Sequence, residues 1–297
     1  KEQNQGYTID VIKKALINYY SNSNNTRKVA KVFQTILKER GWTVITRNLI
    51  SKSETGSVSN WDLVITGVPV HYWDIPRAAL EAIRNLPAFN QTYGFVFSTF
   101  GKCVCNSVPY NLAKELQKKD VTVIGGAQIV MPNSTPIEDG TVIGDIEASY
   151  GKGEVSQTNL NKIKKALISV ISRIEGGTIK EFDIRKLKRL HTRNMLGLVA
   201  SSLMTTKKRI DSMPPVLYRA EFCQDCKRCI KNCDYQIIHF SGEKSVLIDN
   251  EQCMRCYACI NACKSNALYS DWRKIRSSTD IVHKLSKNTE TKILTIT

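Results

Sequence analysis

Eight of the ten cysteines fall in two runs whose spacing suits metal ligation. The first is Cys223-x2-Cys226-x2-Cys229-x3-Cys233, and the second is Cys253-x2-Cys256-x2-Cys259-x3-Cys263. Each cysteine of the first run recurs thirty positions later, so the stretch is an internal repeat. A cubane iron–sulfur cluster takes four thiolates. A C-x2-C-x2-C loop supplies three of them to one cluster, and the fourth cysteine of such a run typically crosses to the other. On that pattern cluster one takes Cys223, Cys226, Cys229 and Cys263, and cluster two takes Cys253, Cys256, Cys259 and Cys233. Zinc is the main alternative, since it also uses paired C-x2-C units. It has no need of a third cysteine at x2 or a fourth at x3. A disulfide framework belongs to secreted chains, and the polar start Lys1–Gly6 lacks the apolar core of a secretion signal.

This stretch resembles the bacterial two-cluster ferredoxins, with one departure. A proline usually follows the fourth cysteine in those proteins, whereas Asp234 and Lys264 follow here. The proline shapes the exit turn and is not a ligand, so the ligand set is unaffected.

Residues capable of binding an anion lie near the other end of the chain. Lys14–Tyr20 has the apolar run of a short buried strand. It leads into Ser21, Asn22, Ser23, Asn24, Asn25 and Thr26, six small hydroxyl and amide residues. Val29, Val32, Phe33, Ile36 and Leu37 then recur at helical spacing, and Gly41 closes the segment. A strand, a polar loop and a helix N-terminus make an anion cradle, because free amides and the helix dipole face the ligand. An ordinary capped turn uses the same residue types. Ser21-x-Ser23-Asn24-x-Thr26 resembles the flavodoxin phosphate loop, [S/T]-x-T-G-x-T, which implies binding of the 5′-phosphate of FMN. Asn24 stands at that pattern's glycine, and asparagine tolerates positive φ better than most residues.

The elements that must position these residues alternate. Thr43–Asn48 and Asp62–Val68 read as strands, then Tyr93–Phe100, a helix over Tyr110–Lys119, and a fifth strand over Val121–Val130. Alternation of this kind predicts a parallel, doubly wound α/β sheet of five strands. Such sheets bind ligands at the C-terminal ends of their strands. Loops at those ends carry Pro69, Tyr72 and Trp73, and then Thr99, Phe100 and Gly101. The flavodoxin resemblance, which covers about Val11–Ile174, implies that these residues surround the flavin ring, with Tyr72 or Trp73 beside it. His71 reads as a loop hydrogen-bonder. Cys103 and Cys105, near Asn106, read as neutral thiols.

The composition bounds the rest. A length of 297 residues suits two domains. The expected divisions are a polar tail (1–10), a flavodoxin-like domain (11–178), basic and apolar linker helices (179–215), a small α+β two-cluster ferredoxin domain (216–272) and a basic C-terminal tail (273–297). Residues 132–158 read as a long excursion rich in Gly, Ser and Asp. Gln236–Asp249 reads as a hairpin turning at Ser241–Lys244. The formal charge is +16. Two oxidised clusters with their thiolates would bring it to roughly +12, and a flavin phosphate to about +10. A basic surface favours acidic partners, and no nucleic-acid recognition motif accompanies it. Arg185, Lys186, Lys188, Arg189 and Arg193 precede an apolar run, Met195–Met204, which Lys207–Arg209 closes. That segment could lie on a membrane surface, but an interdomain helix packing its apolar face is the preferred reading. No apolar run is long enough to span a bilayer.

The combination resembles the EFR-type flavodoxin–ferredoxin fusion proteins of anaerobic bacteria and archaea. The resemblance implies FMN and two [4Fe-4S] clusters in a cytoplasmic electron carrier. Its expected partner is an acidic redox protein: a ferredoxin, a flavodoxin or an oxidoreductase. Two alternatives stand beside it: a flavin-dependent reductase of a small acceptor fed by ferredoxin electrons, and a flavin-free docking domain. Neither an acid–base constellation nor a G-x-G-x-x-G nicotinamide fingerprint is present, which favours the carrier.

Overall fold

The computed structural model describes residues 13–51, 60–101, 107–131, 156–190, 205–273 and 291–295. Cys103, Cys105 and Asn106, most of the 132–158 excursion and the apolar run Met195–Met204 lie outside the described residues.

Strand β1 (Lys14–Tyr19) leads through the polar loop into helix α1 (Asn25–Glu39), and β2 (Thr43–Asn48) follows. Next come β3 (Leu63–Pro69), α2 (Arg77–Arg84), β4 (Thr92–Phe100), α3 (Val108–Gln117) and β5 (Val121–Val130). Helix α4 (Gln157–Glu175) closes this half. The five strands run parallel in the order 2-1-3-4-5. That is the flavodoxin-like version of the doubly wound sheet. The expected sheet is therefore present, with one addition. β10 (Lys292–Thr295), in what reads as a basic tail, pairs antiparallel with β5 and makes a sixth strand at that edge.

Burial explains why β1, β3 and β4 are apolar nearly throughout rather than alternating. Both faces of these central strands are covered, so successive side chains all enter the core. Helices α1 and α4 pack against each other on one side. On the other side α3 meets α2 and the 3₁₀ turn Ile184–Leu190. Phe33 of α1 stacks at 5.0 Å on Phe97 of β4. The Phe97 ring lies so close to Gly67 of β3 that a Cβ there would come within 1.9 Å of it.

Two small units follow the sheet domain. β6 (Leu217–Tyr218) pairs with β9 (Leu268–Tyr269), and β7 (Ile238–Gly242) pairs with β8 (Ser245–Ile248) as the expected hairpin. The short helices Arg228–Lys231 and Ala258–Ala262 repeat thirty residues apart. The repeat extends to the backbone: Asp225, Lys227 and Gln236 have positive φ, and so do Arg255, Tyr257 and Asn266. A second, smaller core holds this half together, built from Val216, Ile237, Ile238, Val246, Tyr257, Leu268 and Trp272 with three of the cysteines.

Candidate redox site at the strand ends

Each cysteine run wraps backward on itself because two left-handed residues alternate with its first three cysteines. In the first run Asp225 and Lys227 have φ of 50° and 54°, and in the second Arg255 and Tyr257 have 48° and 56°. The turns aim backbone N–H groups at sulfur: Asp225 N lies 3.4 Å from Cys223 Sγ, and Arg255 N lies 3.4 Å from Cys253 Sγ. Such donors stabilise a thiolate or a cluster held by it.

Cys233, Cys253, Cys256 and Cys259 line one cavity with Val216, Ile237, Ile238 and Tyr257. Cys233 comes from the first run and the other three from the second, so tertiary packing brings together the crossed set. All eight run cysteines are free of disulfides. Among the described residues no three His, Cys, Asp or Glu side chains converge on a single-ion site. Thiols spaced around a cavity suit a polynuclear core better than one zinc ion. Burial pushes the Cys256 thiol up to about 12 and raises Cys259 as well. Thiols so placed ionise only when a positive metal core compensates the lost hydration. The donor set therefore fits a cluster.

The sheet domain meets this cavity with the loops that follow β1 and β3. These loops flank the point where the strand order reverses, the usual ligand crevice of this fold. After β1, Asn24 adopts φ 65°, the left-handed conformation that the phosphate-loop resemblance requires of it. Its side chain makes no capping bond, and the first turn of α1 carries no acidic residue but does carry Arg27 and Lys28. Ser21 Oγ and Asn22 Oδ1 are buried without partners. Thr26 and Thr99 share a buried 2.8 Å hydroxyl hydrogen bond that ties the loop to the end of β4. Phe100 is buried beside Thr99, and Gly101 and Pro69 are half-buried at the same edge. A positive helix end with an unpartnered Ser21 hydroxyl able to donate fits a phosphorylated ligand.

After β3 the chain reverses in a tight turn, closed by reciprocal backbone bonds between His71 and Asp74. The central residues Tyr72 and Trp73 both have positive φ, at 50° and 68°. Such turns normally carry Asn or Gly at these positions, and two bulky aromatics there store backbone strain. Tyr72 reaches the cysteine half, and Trp73 meets the helix Thr206–Asp211 that precedes it. Tyr72 Oη donates to the Arg255 carbonyl at 2.8 Å, and the Arg209 guanidinium lies 5.0 Å over Trp73. Tyr72 and Trp73 border the crevice edge where one of them is expected beside a flavin ring, and each also contacts a residue that follows the sheet domain in the chain. Burial lowers His71 to about 4, so its imidazole is neutral at neutral pH.

A second bridge forms at Asp234, the residue that stands where the ferredoxin resemblance expects proline. Its carboxylate accepts 2.8 Å bonds from Tyr20 Oη and from Asn22 Nδ2. Arg77 of α2 lies 5.4 Å over the ring of Tyr235. Tyr20, Arg77, Arg209, Asp234, Tyr235 and Arg255 carry no motif that marks them as site residues. Only Asp234 had a signal, as the departure from the usual Cys-Pro pair.

Fold and site together define a class, an α/β domain of flavodoxin type joined to a ferredoxin domain. Residues 222–267 match the family described as the 4Fe-4S dicluster domain. The chain therefore joins a sheet domain of flavodoxin-like strand order to a 4Fe-4S dicluster domain over residues 222–267. Solved structures similar to part of it include a flavodoxin from the domain Archaea, with 13% identity over 55% of this chain and 99% of that one and a TM-score of 0.38. The oxidised Flavodoxin 1 of Bacillus cereus shares 14% identity over 54% and 98%, with a TM-score of 0.39. Rubredoxin oxygen:oxidoreductase from the anaerobe Desulfovibrio gigas shares 20% identity over 56% of this chain but only 36% of its own, with a TM-score of 0.40. These likenesses are distant, and the fold assignment rests on the strand order. No curated protein matches the chain. Among the described residues no helix is long and apolar enough to cross a membrane.

Proposed function

We propose that the chain is an electron carrier in which two [4Fe-4S] clusters and an FMN exchange electrons inside one polypeptide. Cluster one is held by Cys223, Cys226, Cys229 and Cys263, and cluster two by Cys253, Cys256, Cys259 and Cys233. The flavin phosphate sits at Ser21, Asn22, Ser23, Asn24, Asn25 and Thr26, with Thr99, Phe100 and Gly101 at the adjoining strand end. When bound, the clusters supply one-electron steps and the flavin one- or two-electron steps.

The observation that carries this reading is the pinning of the cluster-two loop to the crevice edge of the sheet. Tyr72 holds the Arg255 carbonyl, and Tyr20 with Asn22 holds Asp234, one residue from a proposed ligand. These bonds would hold a cluster bound by the second run in a set relation to the strand-end crevice, and Cys253 and Cys259 are buried there. Fusion also makes their encounter intramolecular, which raises effective concentration.

Anaerobic purification followed by iron, sulfide and flavin analysis tests the reading. About eight irons and eight sulfides per chain are expected, because each cubane contains four of both. Cys233→Ala should remove about half of the iron while flavin stays bound. Zinc in place of iron, or a loss confined to the first-run cluster, would overturn the ligand assignment.

A further inference from the structure

The two cysteine runs repeat the same backbone but face opposite surroundings. Cys253, Arg255, Tyr257 and Ala258 are buried, whereas their counterparts Asp225, Lys227 and Arg228 are exposed and Cys223 is half-buried; Cys226 is exposed where Cys256 is half-buried, and Cys229 and Cys259 are both buried. The residue types have diverged to match. Lys227 stands opposite Tyr257, Arg228 opposite Ala258 and Lys231 opposite Asn261. Over residues 219–231 there are four cations against two acids, Glu221 and Asp225. Over 249–261 there is one cation against two. That one cation, Arg255, is buried and hydrogen-bonded to Asn250.

We propose that the exposed face around the first cysteine run is the docking surface for a small acidic electron-carrier protein. The proposal rests on the electron-transfer reading above and names where its partner binds. Lys227 is the left-handed residue that precedes the short helix, with its ammonium 5.8 Å over the Phe240 ring, Lys231 is the helix's last residue, and Lys264 directly follows Cys263. Phe222, half-exposed at 50%, supplies an apolar centre with Arg219 stacked 3.8 Å over Tyr269 beside it. An aromatic and an arginine at the centre with cations at the rim is the usual composition of a protein–protein patch. The other basic stretch spends part of its charge internally: Arg185 pairs with Asp183 at 2.9 Å, and Lys188 lies 4.6 Å over Tyr110. A partner docked at the first run meets the thiols that solvent reaches, whereas the second run is covered by the sheet domain.

The test is titration of the holoprotein with a small acidic ferredoxin at low and at physiological salt. The variant Lys227→Asp/Lys231→Glu/Lys264→Glu reverses the rim, and aspartate tolerates the left-handed backbone at position 227. Affinity should fall at least about tenfold at low salt, with the difference shrinking as salt screens it. Lys227→Asn/Lys231→Gln should give a smaller loss in the same direction. Arg185→Glu/Lys186→Glu should leave affinity near that of the unaltered chain. Unchanged affinity in the rim variants, or an equal loss at 185 and 186, would overturn the surface. So would an equal loss of binding to anionic lipid vesicles, which would make the rim a general polyanion site. Iron analysis of the same samples separates the two levels. Absence of iron in the unaltered chain defeats the electron-transfer reading, whereas full iron with unaffected docking defeats only this inference.

Discussion

Tyr72 and Arg255 are 183 residues apart in the chain, yet the phenol of one donates a 2.8 Å hydrogen bond to the carbonyl of the other. The bond joins the strained turn after β3 to the loop between Cys253 and Cys256. It therefore connects the crevice of the sheet with the walls of the cluster cavity, and no cofactor is needed to see it. Burial raises Tyr72 well above an ordinary phenol, so the donor keeps its proton throughout the stable pH range.

Tyr72→Phe deletes only this hydroxyl and leaves a buried carbonyl without a partner. Loss of about 1–3 kcal/mol is expected for such a group. Urea unfolding should show a lower midpoint with an unchanged slope, and the second cluster should bleach faster in air. An unchanged midpoint would mean that water replaces the hydroxyl at no cost.

Asp234→Ala removes the acceptor shared by Tyr20 and Asn22; Asn22 Nδ2 still reaches Tyr20 Oη at 2.6 Å, whereas the Tyr20 hydroxyl loses its acceptor. The expected cost is again about 1–3 kcal/mol, with iron content unaffected because Asp234 is not a ligand. Asp234→Asn keeps one oxygen for the same donors and should recover part of the loss. Equal behaviour of the two variants would show that the bridge is not held by this acceptor.

Thr26→Val breaks the hydroxyl pair with Thr99 and removes a donor from the loop that follows β1. Flavin affinity should fall, read by fluorescence titration of the deflavinated protein, while iron per chain stays constant. If flavin binds as tightly as before, the loop is a helix cap and not a phosphate cradle.

His71 carries a pH signature of definite sign. Its folded pKa is about 4, below the ordinary 6.5, so between those values the unfolded chain binds the extra proton. Stability should rise as pH increases from about 4 to 6.5 and then level off, with a full span on the order of 3 kcal/mol. Carboxylates titrate in part of this window, so the quantity to measure is the difference from His71→Gln. That difference should be constant above pH 7 and shift against the unaltered chain toward pH 5. A flat difference would mean that the ring is solvated.

The local pattern carried much of the fold. The boundaries of β2 and β5 agree with the expected strands, because apolar runs with flanking turn residues specify a buried strand whatever it packs against. The cysteine spacing and its thirty-residue repeat likewise identify a dicluster loop, since ligand geometry is written in short separations. Helix α2 escaped notice because only Ala79 and Ile83 among its eight residues are buried, too few to show a period. Strand β10 escaped because its four residues gain meaning only beside β5, some 160 positions away, where Thr291 Oγ1 accepts from Val130 N. The orientation of the two halves was illegible for the same reason. The two runs share one cysteine spacing, and nothing in that spacing says which one the sheet covers. That choice depends on how Tyr20, Asn22 and Tyr72 meet Asp234 and Arg255. Contacts between distant segments arise from complementary surfaces brought together by the whole fold, and they leave no periodicity in either segment alone.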